Sequence, residues 1–273
     1  MIIDVHTHIF PPRLIAERAR LAREDAGFAA LYANPRAKMA TAEELLASMV
    51  EAGVDRAVAC GFWWRSAALA GEYAAYLVEA ARNAGGRIVP FVPVCGDAPI
   101  VDGAAGIGEV RLDADGALDA AMEASLARAI QAGLPLLAHC SEPAGHAYPG
   151  KAGGFTPGGL WSFLSAHAEA HAEARVIAAH WGGGFPFYAL MPEVRALIET
   201  GRLVFDSAAS PLLYDPRVFE VVRGLAGDGA VLWGSDFPLR SQASDRAAVE
   251  AALPDEAARA AVLGENAARF LRL

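Results

Sequence analysis

The sequence predicts an α/β fold, a (β/α)8 barrel of the TIM type, occupying residues 1–273 as one domain. Three observations predict it. Eight short apolar segments, often β-branched, recur along the chain, and most are separated by Ala/Leu/Glu-rich stretches of helical character, the pattern of βα units around a parallel sheet. A length of 273 residues suits such a barrel, which ordinarily takes about 250. Four of the eight segments end in His6, His139, His180 and Asp236, residues able to bind a divalent metal, and a parallel barrel brings all strand C-termini to one face.

Taken in order, the predicted strands are 2–6, 54–60, 87–93, 106–112, 134–139, 175–180, 202–206 and 230–236. After the first comes a long loop, 9–40, and then a helix at 42–52, opened by a capping box of Thr41 and Glu44 and ended by Gly53. Gly133 and Gly201 punctuate later helix ends in the same way. The third-to-fourth connection, 96–105, is too short and too rich in Gly and Pro for a full helix. A second long loop, 141–158, follows the fifth strand, and an amphipathic helix at 255–273 closes the outer ring. Ordered loops of such length usually cover or shape a site.

The chain is 54% hydrophobic and 20% charged, which is enough to bury a large core. A net charge of −9 with scattered Lys and Arg lacks the basic footprint of a nucleic-acid binder. No stretch has the length and apolarity of a membrane span, and the N-terminal residues do not read as an export signal. Cys60, Cys95 and Cys140 form neither a disulfide framework nor a zinc knuckle. A cytoplasmic protein acting on a small molecule, with no nucleic-acid or membrane partner, is the expectation.

The chemistry concentrates at strand ends. Asp4, His6 and His8 alternate at period two and are expected to share one face of the first strand. His139 ends the fifth strand, His180 the sixth and Asp236 the eighth. Any one of these histidines would be an ordinary barrel residue, but together they point to a divalent metal. Zinc suits imidazole and carboxylate ligands, and manganese or iron would accept the same set.

The stretches Val5-His6-Thr7-His8, Leu137-Ala138-His139, Ala179-His180-Trp181-Gly182-Gly183 and Gly234-Ser235-Asp236-Phe237-Pro238 resemble the amidohydrolase superfamily. The combination is similar to its amidohydrolase-related branch, which includes aminocarboxymuconate semialdehyde decarboxylase. The resemblance spans the whole chain. It implies that His6, His8, His139 and Asp236 ligate one metal, with His180 near the reacting group. At the fourth strand, where binuclear members carry a carbamylated lysine, this chain has Glu109 and Arg111. Arginine stays protonated and cannot form that bridge. Glu109 is either a further ligand or a carboxylate paired with Arg111, so a second metal stays open.

The leading expectation is a metal-dependent hydrolase of a lactone, amide or cyclic ester, with metal-activated water, Asp236 carrying the proton and His180 stabilising the oxyanion. The alternative is a nonoxidative decarboxylase of an aromatic or muconate-type acid. A third reading is a non-catalytic barrel stabilised by metal. Trp63, Trp64 and Arg65 suit a flat or acidic substrate, or else pack beneath the first loop or at a subunit contact; a homodimer is the default expectation. Arg111 either binds a substrate carboxylate or forms an ion pair. Glu142, His146, Tyr148 and Lys151 either meet substrate or fix their own loop. His167 and His171, four apart on an outer helix, read as a solvated face.

Overall fold

The structure, a computed structural model, describes residues 1–96, 98–112, 118, 120–166 and 173–273. His167 and His171 lie outside the described residues. Eight strands run β1 (Ile3–His8), β2 (Arg56–Cys60), β3 (Ile88–Val92), β4 (Gly106–Val110), β5 (Leu136–Ala138), β6 (Val176–Ala178), β7 (Leu203–Asp206) and β8 (Val231–Leu232). Each pairs in parallel with the next. Hydrogen bonds from Val5 N to Trp233 O (2.9 Å) and from His8 N to Phe237 O (2.7 Å) bring the last strand back to the first. Eight parallel strands thus form a nearly closed barrel, a (β/α)8 fold.

Helices flank most of the crossovers. The one at Ala42–Ala52 carries the predicted capping box and ends at Gly53 with φ 64°, a left-handed position that glycine adopts without a Cβ penalty. Among the described residues no helix joins β3 to β4. The terminal segment is helical over Glu256–Ala260 and Asn266–Leu271, with a wider π turn between. Ile3, Val5, Val58, Val89, Phe91, Leu137, Ile177, Val204 and Leu232 pack with Ala267 and Phe270 of that segment, filling the barrel's interior. Strand residues of the other parity, such as Ala57, Val92, Leu136 and Phe205, pack with the helices in a second, larger layer.

Two local expectations are corrected. The segment 9–40 is not a plain loop but carries helices at Pro12–Ala16, Arg18–Glu24 and Ala26–Tyr32, because Ala, Leu, Arg and Glu dominate it and Asp25 caps the third by accepting from Phe28 N. The alternation expected in β1 is broken by a one-residue slip in its pairing with β2 between Asp4 and Thr7. Val5 therefore joins the interior cluster, and Asp4 turns instead to Ser235 and Gln242.

Candidate active site

β1 delivers His6 and His8, and Glu109, His139, His180, Asp206 and Asp236 come from the C-terminal ends of β4, β5, β6, β7 and β8 or the turns just beyond them. His6 is buried, and its Nδ1 lies 3.0 Å from Oδ2 of Asp206, the last residue of β7. A carboxylate in that position holds the proton on Nδ1 and leaves Nε2 as a ligand atom. Nε2 of His6 faces Nε2 of His8 at 3.1 Å. Asp236 Oδ1 lies 3.4 Å from His8 Nε2 and 3.8 Å from His6 Nε2. Glu109, from β4, sits among the imidazoles: its Oε1 is 2.7 Å from His139 Nδ1, 3.6 Å from His6 Nε2 and 3.7 Å from His180 Nε2.

His180 and Asp236 stand in tight turns beyond their strands, not on them. Their φ values are 54° and 63°, and Trp181 and Ala209 at the same mouth share the left-handed conformation, which costs about 1–2 kcal/mol for a residue with a Cβ. Hydrogen bonds hold both turns. His180 N and Ala208 N donate to Asp206 Oδ1 at 2.9 and 3.0 Å, and His180 Nδ1 meets Ala208 O at 3.0 Å. Before Asp236, Ser235 donates to buried Asp4 through both N (3.0 Å) and Oγ (2.5 Å), and Gln242 Nε2 adds a third bond at 2.8 Å. Burial leads over these bonds and raises the Asp4 carboxyl to about 6.

The donor set fits a divalent cation. Among the described residues two groups of three have ligand atoms within 4.8 Å of one another, His6 with Glu109 and His180, and His6 with His8 and Asp236. His139 stands beside them, with Nδ1 on Glu109 and Nε2 3.1 Å from Gly150 O. Either neutral tautomer of His139 leaves one ring nitrogen facing an acceptor, a conflict that a cation beside it would remove. Burial opposes charge on His6, but Asp206, Glu109 and Asp236 outweigh it and push its pKa up to about 10. Burial likewise raises Asp236, yet the bond to His8 and the charges of His6 and His180 bring it well below the usual carboxylate range. For His139, burial and the Arg111 charge lower the pKa to about 4 against the pull of Glu109.

Above this floor opens a cavity of about 480 Å³. His8, Glu109, His139, His180 and Asp236 line its depth, and Tyr32, Phe62, Leu31, Leu212 and Leu213 form its walls. Arg111 lines it too, tethered by Nη2 to Gly150 O at 2.6 Å and lying 3.5 Å from Glu109. From the 141–158 loop, His146 and Tyr148 reach the cavity. Glu142 does not line it but accepts from Tyr148 Oη at 3.0 Å. Lys151 donates to Ala144 O and His146 O and so ties the loop to itself.

The cluster after β2 is placed differently from the substrate expectation. Trp63, Trp64 and Arg65 do not line the cavity. Trp64 is fully buried and stacks on Phe28 at 5.1 Å and 20°, while Trp63 packs half-buried against the core and Arg65 is exposed. It is Phe62, one residue earlier, that faces the site.

Sequence reasoning missed Asp206, whose only signal is its place at the end of a predicted strand. It also missed Phe62, Tyr32 and the exposed rim cations Arg36 and Lys38, the last three carried by the 9–40 excursion.

Comparison with known proteins adds the family. The family model described as Amidohydrolase matches residues 3–273. No curated protein sequence matches the chain. Among solved structures, 5-carboxyvanillate decarboxylase from Novosphingobium aromaticivorans, with manganese and 4-hydroxy-3-methoxy-5-nitrobenzoic acid, is similar at TM-score 0.74 and 14% identity, covering 100% of this chain and 96% of that one. The 2,6-dihydroxybenzoate decarboxylase from Rhizobium gives TM-score 0.69 and 12% identity over 99% and 98% of the two chains. An amidohydrolase from Burkholderia multivorans with bound zinc gives 0.64 and 18% over 100% and 99%.

The expectation of a hydrolase is corrected by these likenesses. The 5-carboxyvanillate and 2,6-dihydroxybenzoate enzymes among them are decarboxylases, and none of these likenesses supports the lactone, amide or cyclic-ester reading. The motifs named above cannot separate the two reactions, because both need the same metal floor. With 3–273 matched end to end and the strand-end histidines assembled as that fold requires, the chain belongs to the amidohydrolase family.

Proposed function

We propose that this protein is a metal-dependent nonoxidative decarboxylase of a small aromatic or muconate-type carboxylic acid. The observation that carries the reading is one cavity with a metal-binding floor, aromatic and aliphatic walls and Arg111 on its lining. A flat acid fits such a space, with its carboxylate toward the floor and its ring between Phe62, Tyr32 and the leucines. The decarboxylase neighbours support the same substrate class.

His6, His8, His139 and Asp236 would hold the metal, zinc or manganese, with Glu109 as a further ligand or as the carboxylate that orients His139. Such an ion, when bound, anchors the acid's oxygens and draws electron density from them. The bond from ring carbon to carboxylate breaks, carbon dioxide leaves, and the electron pair stays on the ring carbon, which takes one proton. Asp236 carries that proton: its carboxylate takes it from solvent water on the cavity side and delivers it to the carbon, and solvent is left one proton poorer. His180, fixed by Ala208 O and Asp206, steadies the negative charge that develops on the substrate. Arg111 pairs with an anionic group of the acid, and His146 and Tyr148 border it from the loop. Self-association as a homodimer remains part of the proposal; Phe187, Tyr188, Leu190 and Met191 form an exposed apolar surface for it.

Turnover in D2O tests the proton step. The product is expected to carry one deuterium at the carbon that lost carbon dioxide, and Asp236→Asn should slow turnover by about 1000-fold or more, at the level where general acid–base groups act. Deuterium at any other carbon, or an Asp236→Asn variant with unchanged rate, contradicts it.

A further inference from the structure

Tyr32 ends the helix Ala26–Tyr32 and lines the cavity. Its ring is held on three sides, by Phe28 at 5.0 Å, Phe10 at 5.1 Å and Phe62 at 6.1 Å between centroids. Among the described residues its hydroxyl has no hydrogen-bond partner. Tyr73, which packs against the same Phe10, differs: its hydroxyl is spent on Ile9 O at 2.6 Å. A phenylalanine at position 32 would pack among Phe10, Phe28 and Phe62 equally well, so packing does not account for the hydroxyl. Burial first, and then the charges of Asp236 and Glu109, push the phenol's pKa up, so it is a donor at neutral pH.

We propose that Tyr32 contacts the substrate, its hydroxyl donating a hydrogen bond to a carboxylate or phenolate oxygen of a bound aromatic acid. The proposal rests on the decarboxylase reading. The two carboxylates that line the cavity, Glu109 and Asp236, are engaged with the histidines of the floor, which leaves an oxyanion of the ligand as the acceptor. The aromatic clamp pre-orients the donor, so little freedom is lost when the bond forms.

Tyr32→Phe removes the hydroxyl and keeps the ring. Calorimetry on manganese-loaded protein with benzoate and with 2-hydroxybenzoate reads the contact, alongside metal content and Tm. The variant is expected to keep metal content and Tm and to bind about 10- to 100-fold more weakly, the scale of a hydrogen bond to a charged group. Weakening of both acids assigns the contact to the carboxylate, and weakening of 2-hydroxybenzoate alone assigns it to the ring oxygen. Equal affinity of variant and wild type overturns the role of Tyr32 and leaves the decarboxylase reading standing. A wild-type protein that binds neither acid overturns both.

Discussion

His6 joins the two halves of the site, its Nδ1 on Asp206 and its Nε2 facing His8, Glu109 and Asp236. Asp206 also accepts from His180 N and Ala208 N, so one carboxylate orients two histidines. Asp206→Asn keeps the shape and loses the charge, and metal affinity in competition with a chelator is expected to fall about 10- to 100-fold; unchanged affinity would remove Asp206 from this role. The protonation of His6 gives a second test. Without metal, its pKa is raised from an ordinary 6.5 to about 10, so pairing with Asp206 contributes stability that is full below 6.5 and is lost as pH rises through about 10. A ligating imidazole must be neutral, so metal binding displaces that proton and apparent affinity rises with pH across this window. Titration calorimetry at pH 8 in buffers of different ionisation enthalpy should show about one proton released per metal bound, and none released would contradict the assignment. His6, His8, His139, His180 and Asp236 are legible in the sequence because they end predicted strands in the order a barrel needs. Asp206 ends one too, but an isolated aspartate without a partnering motif carries no distinguishing mark.

At the level of elements, the strands are legible because their apolar runs are bounded by glycine and by helix caps such as Thr41 with Glu44. Their ends are not: His180 and Asp236 stand past β6 and β8 in left-handed turns, a geometry set by tertiary hydrogen bonds to Asp206 and Asp4. The excursion after β1 is legible as a long segment, while its three short helices and the cavity residues they supply depend on packing against Phe62 and Trp64. That packing yields a prediction for the aromatic pair after β2. Trp64→Ala should destabilise the fold by about 3–5 kcal/mol in denaturant unfolding, the range for a large buried aromatic, with ligand affinity following only through that loss. Trp63, half-buried, should lose clearly less on the same substitution. A Trp64→Ala variant of full stability with weakened ligand binding would return Trp64 to the substrate.

Across the whole molecule, parallel pairing of all eight strands carries the titratable groups to one mouth, and the loops after β1 and β5 wall the space above them. The protein's net charge of −9 makes the cations at this mouth, Arg36, Lys38 and Arg111, a local exception, which agrees with the anionic substrate proposed above. No helix among the described residues is long and apolar enough to cross a membrane. The barrel explains why one site can be read for two reactions: the fold fixes where a metal would sit, and the loops decide what would be held against it. The most direct test is release of labelled carbon dioxide from carboxyl-13C aromatic acids, 2,6-dihydroxybenzoate and 5-carboxyvanillate first, by the protein before and after chelation and after manganese or zinc is restored. The account predicts one carbon dioxide per acid consumed, lost on chelation and recovered with metal. Metal-independent release, or no release from any aromatic acid by a fully loaded protein, would contradict it.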